Sequence, residues 1–130
     1  MDEQLAKGLI AILQSAALPI ECAYVFGSVA KNTAKPNSDI DVAVLCEKLG
    51  AQEKLRLLQA IADLTERAVD WIDLHSAGTV VALEALKGKR VIGTDEQHAQ
   101  LLTRTLIDAG DFGLLYERIL SERREAWFNE

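Results

Sequence analysis

The stretch VFGSVAKNTAKPNSDIDVAVL, running from Val25 to Leu45, holds two apolar runs separated by a polar segment. Cys22–Phe26 has the length of a buried strand and feeds directly into Gly27-Ser28. Val29–Asn32 allows one helical turn, and Lys31–Ser38, with Pro36-Asn37 inside it, is a loop signal. Ser38–Leu45 alternates and then turns wholly apolar, which predicts a second strand. On that strand Asp39 and Asp41 stand at i and i+2, so both project from one face, while Ile40 points into the core.

Two carboxylates side by side repel. At ~4 Å and an effective dielectric of ~20 the cost is about 4 kcal/mol before screening. A cation offsets it, and Mg²⁺ suits the place because it takes hard oxygen ligands, typically one or two carboxylates plus substrate phosphates. Gly27 lets the backbone come close to a phosphate. Ser28 adds a hydroxyl and an N–H at the start of a helical turn, a position that favours anions. Gly-Ser alone is weak, as is Asp-x-Asp, but joined by a polar loop on consecutive strands they read together as a metal and phosphate site. The alternative is a Gly-Ser turn followed by two solvent-facing aspartates on an edge strand. A third carboxylate is expected nearby, as a further ligand or as a base for an attacking hydroxyl. The run VDWIDL, Val69–Leu74, supplies Asp70, on a face with Ile72 and Leu74, and Asp73, on a face with Trp71. Alternation alone does not choose between them.

Ahead of this segment, Leu5, Leu9, Ile10 and Leu13 mark a helix that the pattern carries to Leu18, with Pro19 ending it. Beyond it, Leu57, Ile61, Leu64 and Ala68 predict a helix over about Ala51–Arg67 after the break at Gly50. Val69–Leu74 is a third strand. Ser76 reads as the N-cap of a helix carrying Val80, Leu83 and Leu86, with Gly88 at C′. Arg90–Ile92 is a short fourth strand, and Asp95 reads as the N-cap of a helix through Leu102, Leu106 and Ala109. Gly110 breaks or bends the chain, after which Phe112, Leu115, Ile119 and Trp127 keep helical spacing. The result is an α/β (α+β) domain over residues 1–130, with a small mixed β-sheet flanked by helices in a core of about 20–93 and C-terminal helices over about 95–128.

The net charge of −6 and the absence of a basic patch beyond Lys87, Lys89 and Arg90 argue against stable nucleic-acid binding. About half the residues are apolar, enough for a core at this length. Cys22 and Cys46 flank apolar runs and are expected to be reduced core thiols. The opening Met-Asp-Glu lacks a basic n-region, and no apolar run approaches spanning length, so a cytoplasmic location away from membranes is expected.

The combination of Gly27-Ser28, Asp39-Ile40-Asp41 and a later Asp-bearing strand resembles the DNA polymerase β-type nucleotidyltransferase superfamily. The short chain is similar to the minimal nucleotidyltransferases (MNT). Over Ala23–Val81 it resembles more particularly the MntA-type antitoxins of HEPN/MNT toxin–antitoxin pairs. The resemblance implies a polymerase β-like fold in which Gly27 and Ser28 hold the triphosphate. Asp39 and Asp41 then bind Mg²⁺, and Asp70 is the third carboxylate. It implies ATP as substrate, a cognate HEPN ribonuclease toxin as partner in a hetero-oligomer, and transfer of AMP to a toxin tyrosine, which silences the toxin. The competing functions are an antitoxin that acts by binding alone and a small-molecule, aminoglycoside-type nucleotidyltransferase. The chain has no obvious domain for a small acceptor, which counts against the second of these.

The remaining residues have blander readings. Lys31 and Lys35 either touch phosphates or are simply solvated loop lysines. His75 and His98 have no ligand-like spacing and are expected at the surface. Trp71 stacks on a base or packs on the sheet, its strand position favouring packing. The C-terminal stripe packs on the domain or makes a partner contact, with Trp127 and Phe128 in a highly charged tail the candidates for such a contact.

Overall fold

The computed structural model describes residues 1–17 and 19–128; the side chains of Phe112, Leu115 and residues 124–128 are outside that description. The elements in chain order are α1 (Glu3–Gln14), β1 (Cys22–Phe26), α2 (Gly27–Ala30), β2 (Ile40–Leu45) and α3 (Ala51–Thr65). They continue with β3 (Val69–Asp73), α4 (Thr79–Leu86), β4 (Lys89–Ile92), α5 (Asp95–Ala109) and α6 (Phe112–Phe128). The strands form one sheet in the order β3-β2-β1-β4. β1 runs antiparallel to β2 and to β4, whereas β2 and β3 are parallel, joined by the crossover through α3. The sheet is therefore mixed, as the sequence predicts.

Alternation along the strands divides the apolar residues between two layers. Val25, Val42 and Val44 point to the face covered by α1 and α3, where Leu9, Leu13, Leu57 and Ile61 meet them. Tyr24, Ala43 and Leu45 point to the other face, under Ala82, Ala85 and Leu86 of α4 and Leu101 of α5. Cys22 and Cys46 are buried free thiols, as expected. Each fully buried Leu or Ile removes enough apolar surface from water to contribute roughly 1.5–3 kcal/mol, so these two layers dominate the stability of the fold. Among the described residues no helix is long and apolar enough to cross a membrane.

The element ends shift from the sequence reading, each for a local reason. α1 stops at Gln14, ahead of Leu18 and Pro19, because Ser15 folds back: its N–H donates to the carbonyls of Ala11 and Ile12 and its hydroxyl to Ile12. Leu18 itself lies outside the described residues. Arg56 and Glu53 of α3 then hold the chain after α1, through Arg56 Nη2 to the Ser15 carbonyl at 2.9 Å and Ala17 N–H to Glu53 Oε1 at 3.0 Å. The first helical turn after β1 starts at Gly27 rather than Val29. α3 ends at Thr65, not Arg67, because Glu66 takes a left-handed conformation with φ of 54°.

Ser76 does not cap α4. Its N–H and that of Ala77 donate to the Asp73 carbonyl in a turn, and the helix starts after Gly78. Asp95 does not cap α5 either; Thr94 does, in a reciprocal capping box with Gln97, while Asp95 pairs with Arg90. Gly110 breaks the helix, separating α5 from α6. On α4, Val80 faces solvent, its place in the core taken by Ala82 and Ala85.

His98 also departs from expectation. It is partly buried, and its Nδ1 pairs with the hydroxyl of the fully buried Tyr24 at 2.7 Å, which satisfies that phenol and anchors α5 to β1. Burial pushes the Tyr24 phenol up and the His98 imidazole down, so both are neutral in this contact. His75 is exposed, as expected. In the C-terminal stripe Ile119 is exposed, and the candidate contacts Trp127 and Phe128, like Phe112 and Leu115, have side chains outside the described residues.

Candidate active site

Three strands deliver the site. β1 ends at Phe26, which pairs with Asp41 in the β1–β2 ladder; one strand over, Asp41 pairs with Asp70 in the parallel β2–β3 ladder. Parallel neighbours in register point their side chains the same way, so Asp41 and Asp70 stand side by side. Asp73 is in register with Val44 instead, projects from the opposite face, and accepts the His75 N–H at 2.9 Å. Of the two aspartates that alternation leaves open, register brings Asp70 beside Asp41.

Gly27 follows Phe26 with φ of +73°, and a Cβ built on it would lie 2.2 Å from Oδ2 of Asp41. The Asp41 carboxylate therefore rests against the bare α-carbon of Gly27, and any other residue there would displace it. Ser28 is the next residue, in the short α2 turn, and its carbonyl accepts from the Thr33 N–H at 2.9 Å as the loop returns.

Asp39 lies just outside β2, since the strand begins at Ile40 rather than Ser38. It is exposed, whereas Asp41 is half-buried. The turn before it is closed on itself, with Ser38 N–H donating to the Lys35 carbonyl and Lys35 N–H to Ser38 Oγ, both at 3.0 Å. Arg67, which follows the left-handed Glu66, reaches across and donates from Nη1 to the carbonyls of Lys35 at 2.7 Å and Ser38 at 2.8 Å. Sequence reasoning misses Arg67; the one signal for it is an arginine between a helix end and the Asp-bearing strand.

Burial raises the carboxyl of Asp41 above its ordinary range. The charge of Asp70, a shared proton with it, and the charge of Asp39 push in the same direction. Among the described residues no lysine or arginine pairs with any of the three. No three acidic, histidine or cysteine side chains among the described residues stand close enough together to hold an ion as they are. Asp41 and Asp70 are together, and Asp39, ahead of the strand, stands apart from them. The donor set, carboxylate oxygens only with no nitrogen or sulfur, is that of a hard divalent cation.

A carboxyl whose folded pKa is raised contributes stability that is full below the ordinary carboxylate range and lost as pH rises through the raised value. Without divalent cations, Asp41→Asn should therefore melt higher than the native chain at neutral pH, with the gap closing on acidification. Scanning calorimetry in a chelator across that range measures it, and a gap that does not change with pH contradicts the assignment.

Two hollows flank the strands. One of about 170 Å³ adjoins Gly27 and is lined by Phe26, Ala30, Lys31, Lys87, Gly88 and Lys89, with Glu84 at its edge. Lys31 is thus beside the Gly27 turn, whereas Lys35 is not among the lining residues. A larger one, of about 590 Å³, lies towards the other end of β2 and β3 on the opposite face, between Val44, Lys48, Lys54, Trp71 and His75. Trp71 packs against the core and forms one wall of that second hollow, so it stacks on nothing at the carboxylates.

The chain resembles several known proteins. The family profile described as Polymerase beta, Nucleotidyltransferase matches residues 7–97. The protein adenylyltransferase MntA of Shewanella oneidensis is 30% identical over 118 residues, spanning 89% of this chain and 80% of that protein. A crystal structure of a toxin–antitoxin with AMP-PNP has a TM-score of 0.72 at 26% identity, covering 92% of this chain and 98% of that one. A mutant toxin–antitoxin complex containing MntA gives 0.71 at 25% identity, with the same coverage.

Proposed function

The chain belongs to the polymerase β nucleotidyltransferase family, and on that premise we propose that it is a Mg²⁺-dependent protein adenylyltransferase. It acts in the cytoplasm as the antitoxin of a HEPN ribonuclease toxin, transferring AMP from ATP to a tyrosine of that toxin. The observation that carries the reading is the carboxylate pair Asp41–Asp70, held in register beside the bare α-carbon of Gly27 with Asp39 at its mouth. The identity with Shewanella oneidensis MntA supports the protein acceptor, and the AMP-PNP bound in a related toxin–antitoxin supports ATP.

In this reading Asp39, Asp41 and Asp70 hold the cation, which supplies charge to offset the phosphates and the developing negative charge on the leaving pyrophosphate. Gly27 and Ser28 admit and bind the triphosphate, whose tail extends towards Lys31 in the adjoining hollow. The tyrosine hydroxyl attacks the α-phosphorus in line; the new bond joins its oxygen to AMP, and the bond to pyrophosphate breaks. Asp70, exposed where Asp41 is half-buried, is the group within reach of solvent and of the partner that takes the phenolic proton. Most of the rate gain comes from positioning and charge stabilisation rather than from covalent chemistry by the protein.

Incubation of the chain with ATP labelled in the adenylyl group, Mg²⁺ and the toxin encoded beside it tests the reading. Label is expected on a toxin tyrosine, and it is expected to vanish with Asp39→Ala. A toxin neutralised without ever acquiring label would rule out catalysis as the antitoxin's mode of action.

A further inference from the structure

Arg67 bridges two backbone carbonyls of the turn that leads into Asp39. Its guanidinium lies against the turn Lys35–Ser38, where one nitrogen, Nη1, donates to both bounding carbonyls at 2.7 and 2.8 Å. The Lys35 contact is exposed to solvent, and water would serve that carbonyl nearly as well. Among the described residues the guanidinium makes no ion pair, although Asp41 and Asp70 stand side by side on the adjacent strands and Asp39 immediately follows Ser38.

The backbone around it is fixed from both sides. Glu66 turns left-handed at the end of α3, and Ala68 accepts the Ile40 N–H at 2.9 Å, which starts the β2–β3 ladder. Arg67 sits between these two points and ties the turn that carries Asp39 to the strand that carries Asp70. Ser38, whose carbonyl it holds, is bonded directly to Asp39.

We propose that Arg67 is a positioning residue for the cation: by gripping the Lys35 and Ser38 carbonyls it sets the backbone from which Asp39 turns in to join Asp41 and Asp70. The proposal rests on the reading of those three aspartates as the cation's ligands. Asp41 and Asp70 are fixed by ladder pairing, but Asp39 precedes its strand, so its approach depends on the turn behind it. A residue that orients a metal ligand without touching the metal typically costs ~10–100-fold in metal affinity when it is lost.

The test measures divalent-cation binding directly, with Mn²⁺ as the probe, by titration calorimetry on the full chain without nucleotide or partner. Arg67→Met keeps the length of the side chain and removes the donors; Mn²⁺ affinity is expected to fall by about 10-fold or more. Arg67→Lys places an ammonium with three donors near the same two carbonyls and is expected to recover most of that loss. The melting temperature of each variant, taken without metal, is the control for folding.

An Arg67→Met chain that melts lower yet binds Mn²⁺ as the native chain does makes Arg67 a structural staple and overturns the proposal. So does an Arg67→Lys chain that binds as weakly as Arg67→Met. Should Arg67→Met fail to fold, Arg67→Lys and Arg67→Gln carry the comparison, and affinity that does not track their ability to donate to the two carbonyls has the same consequence. Asp39→Ala is measured alongside: native-like Mn²⁺ binding by that variant defeats the ligand reading itself, which separates the two failures.

Discussion

Asp41→Asn is expected to slow adenylyl transfer by at least ~100-fold, the scale seen when one charge-stabilising group is removed from an active site. The substitution keeps the shape of the side chain and its fit against Gly27, whose α-carbon leaves room for only the carboxyl-sized tip of residue 41. What it removes is the charge beside Asp70. Initial rates of label transfer, taken at saturating ATP and a range of Mg²⁺ concentrations, measure the loss. If, as proposed, the missing oxygen is a ligand, high Mg²⁺ should not restore the rate. The same variant is the one expected to melt higher without cations, so lower activity and higher stability should come from a single atom change. An Asp41→Asn chain with more than about a tenth of the native rate would remove Asp41 from the site, given the ~100-fold expectation.

Gly27→Ala is the second large effect. An alanine Cβ would meet Asp41 Oδ2 at 2.2 Å, so the carboxylate has to move away from the place its ladder pairing gives it. The backbone also carries φ of +73°, where an L-residue costs about 1–2 kcal/mol. Gly110 has nearly the same angle, φ of +71°, with nothing within 4 Å of its would-be Cβ. Gly110→Ala therefore isolates the backbone cost. Both variants should lose similar stability to the left-handed conformation, while Gly27→Ala alone should lose about 100-fold or more in transfer rate through the displaced Asp41. Chemical denaturation and label transfer on the two variants decide it. Equal activity in both would mean that the contact with Asp41 has no catalytic consequence.

Much of this site is legible in the sequence because strands have a period of two. Asp41, Ile40 and Val42 alternate between faces as the pattern predicts, and Gly27 stands where an apolar run stops. Asp70 and Asp73 cannot be told apart from the chain alone, because both lie on a strand and face opposite sides. Only register against β2, a relation between segments far apart in sequence, separates them. Asp39 reads as a strand residue but is not one, for the opposite reason: strand pairing starts where Ala68 is available to accept the Ile40 N–H, and apolar alternation does not report that. Arg67 and His98 escape sequence reading because each serves a partner in another segment, a pair of carbonyls in one case and the buried Tyr24 in the other. The helix ends shift for a smaller reason. Ser15, Glu66 and Thr94 satisfy backbone groups locally, and such capping outweighs the apolar stripe that continues beyond it.

The parallel pairing of β2 with β3 has a kinetic consequence. The antiparallel β1–β2 ladder brings Gly27 to Asp41 through a connection of one loop and one helical turn, whereas Asp70 arrives only after the whole of α3 has formed and folded back across the sheet. Pairings that close longer stretches of chain form more slowly, since the entropy of closure must be met before the contact rewards it. A newly made chain thus has the Gly27 turn beside Asp41 before Asp70 joins them. In a refolding experiment, cation binding and transfer activity should appear with the parallel β2–β3 ladder, after the antiparallel β1–β2 pair has formed.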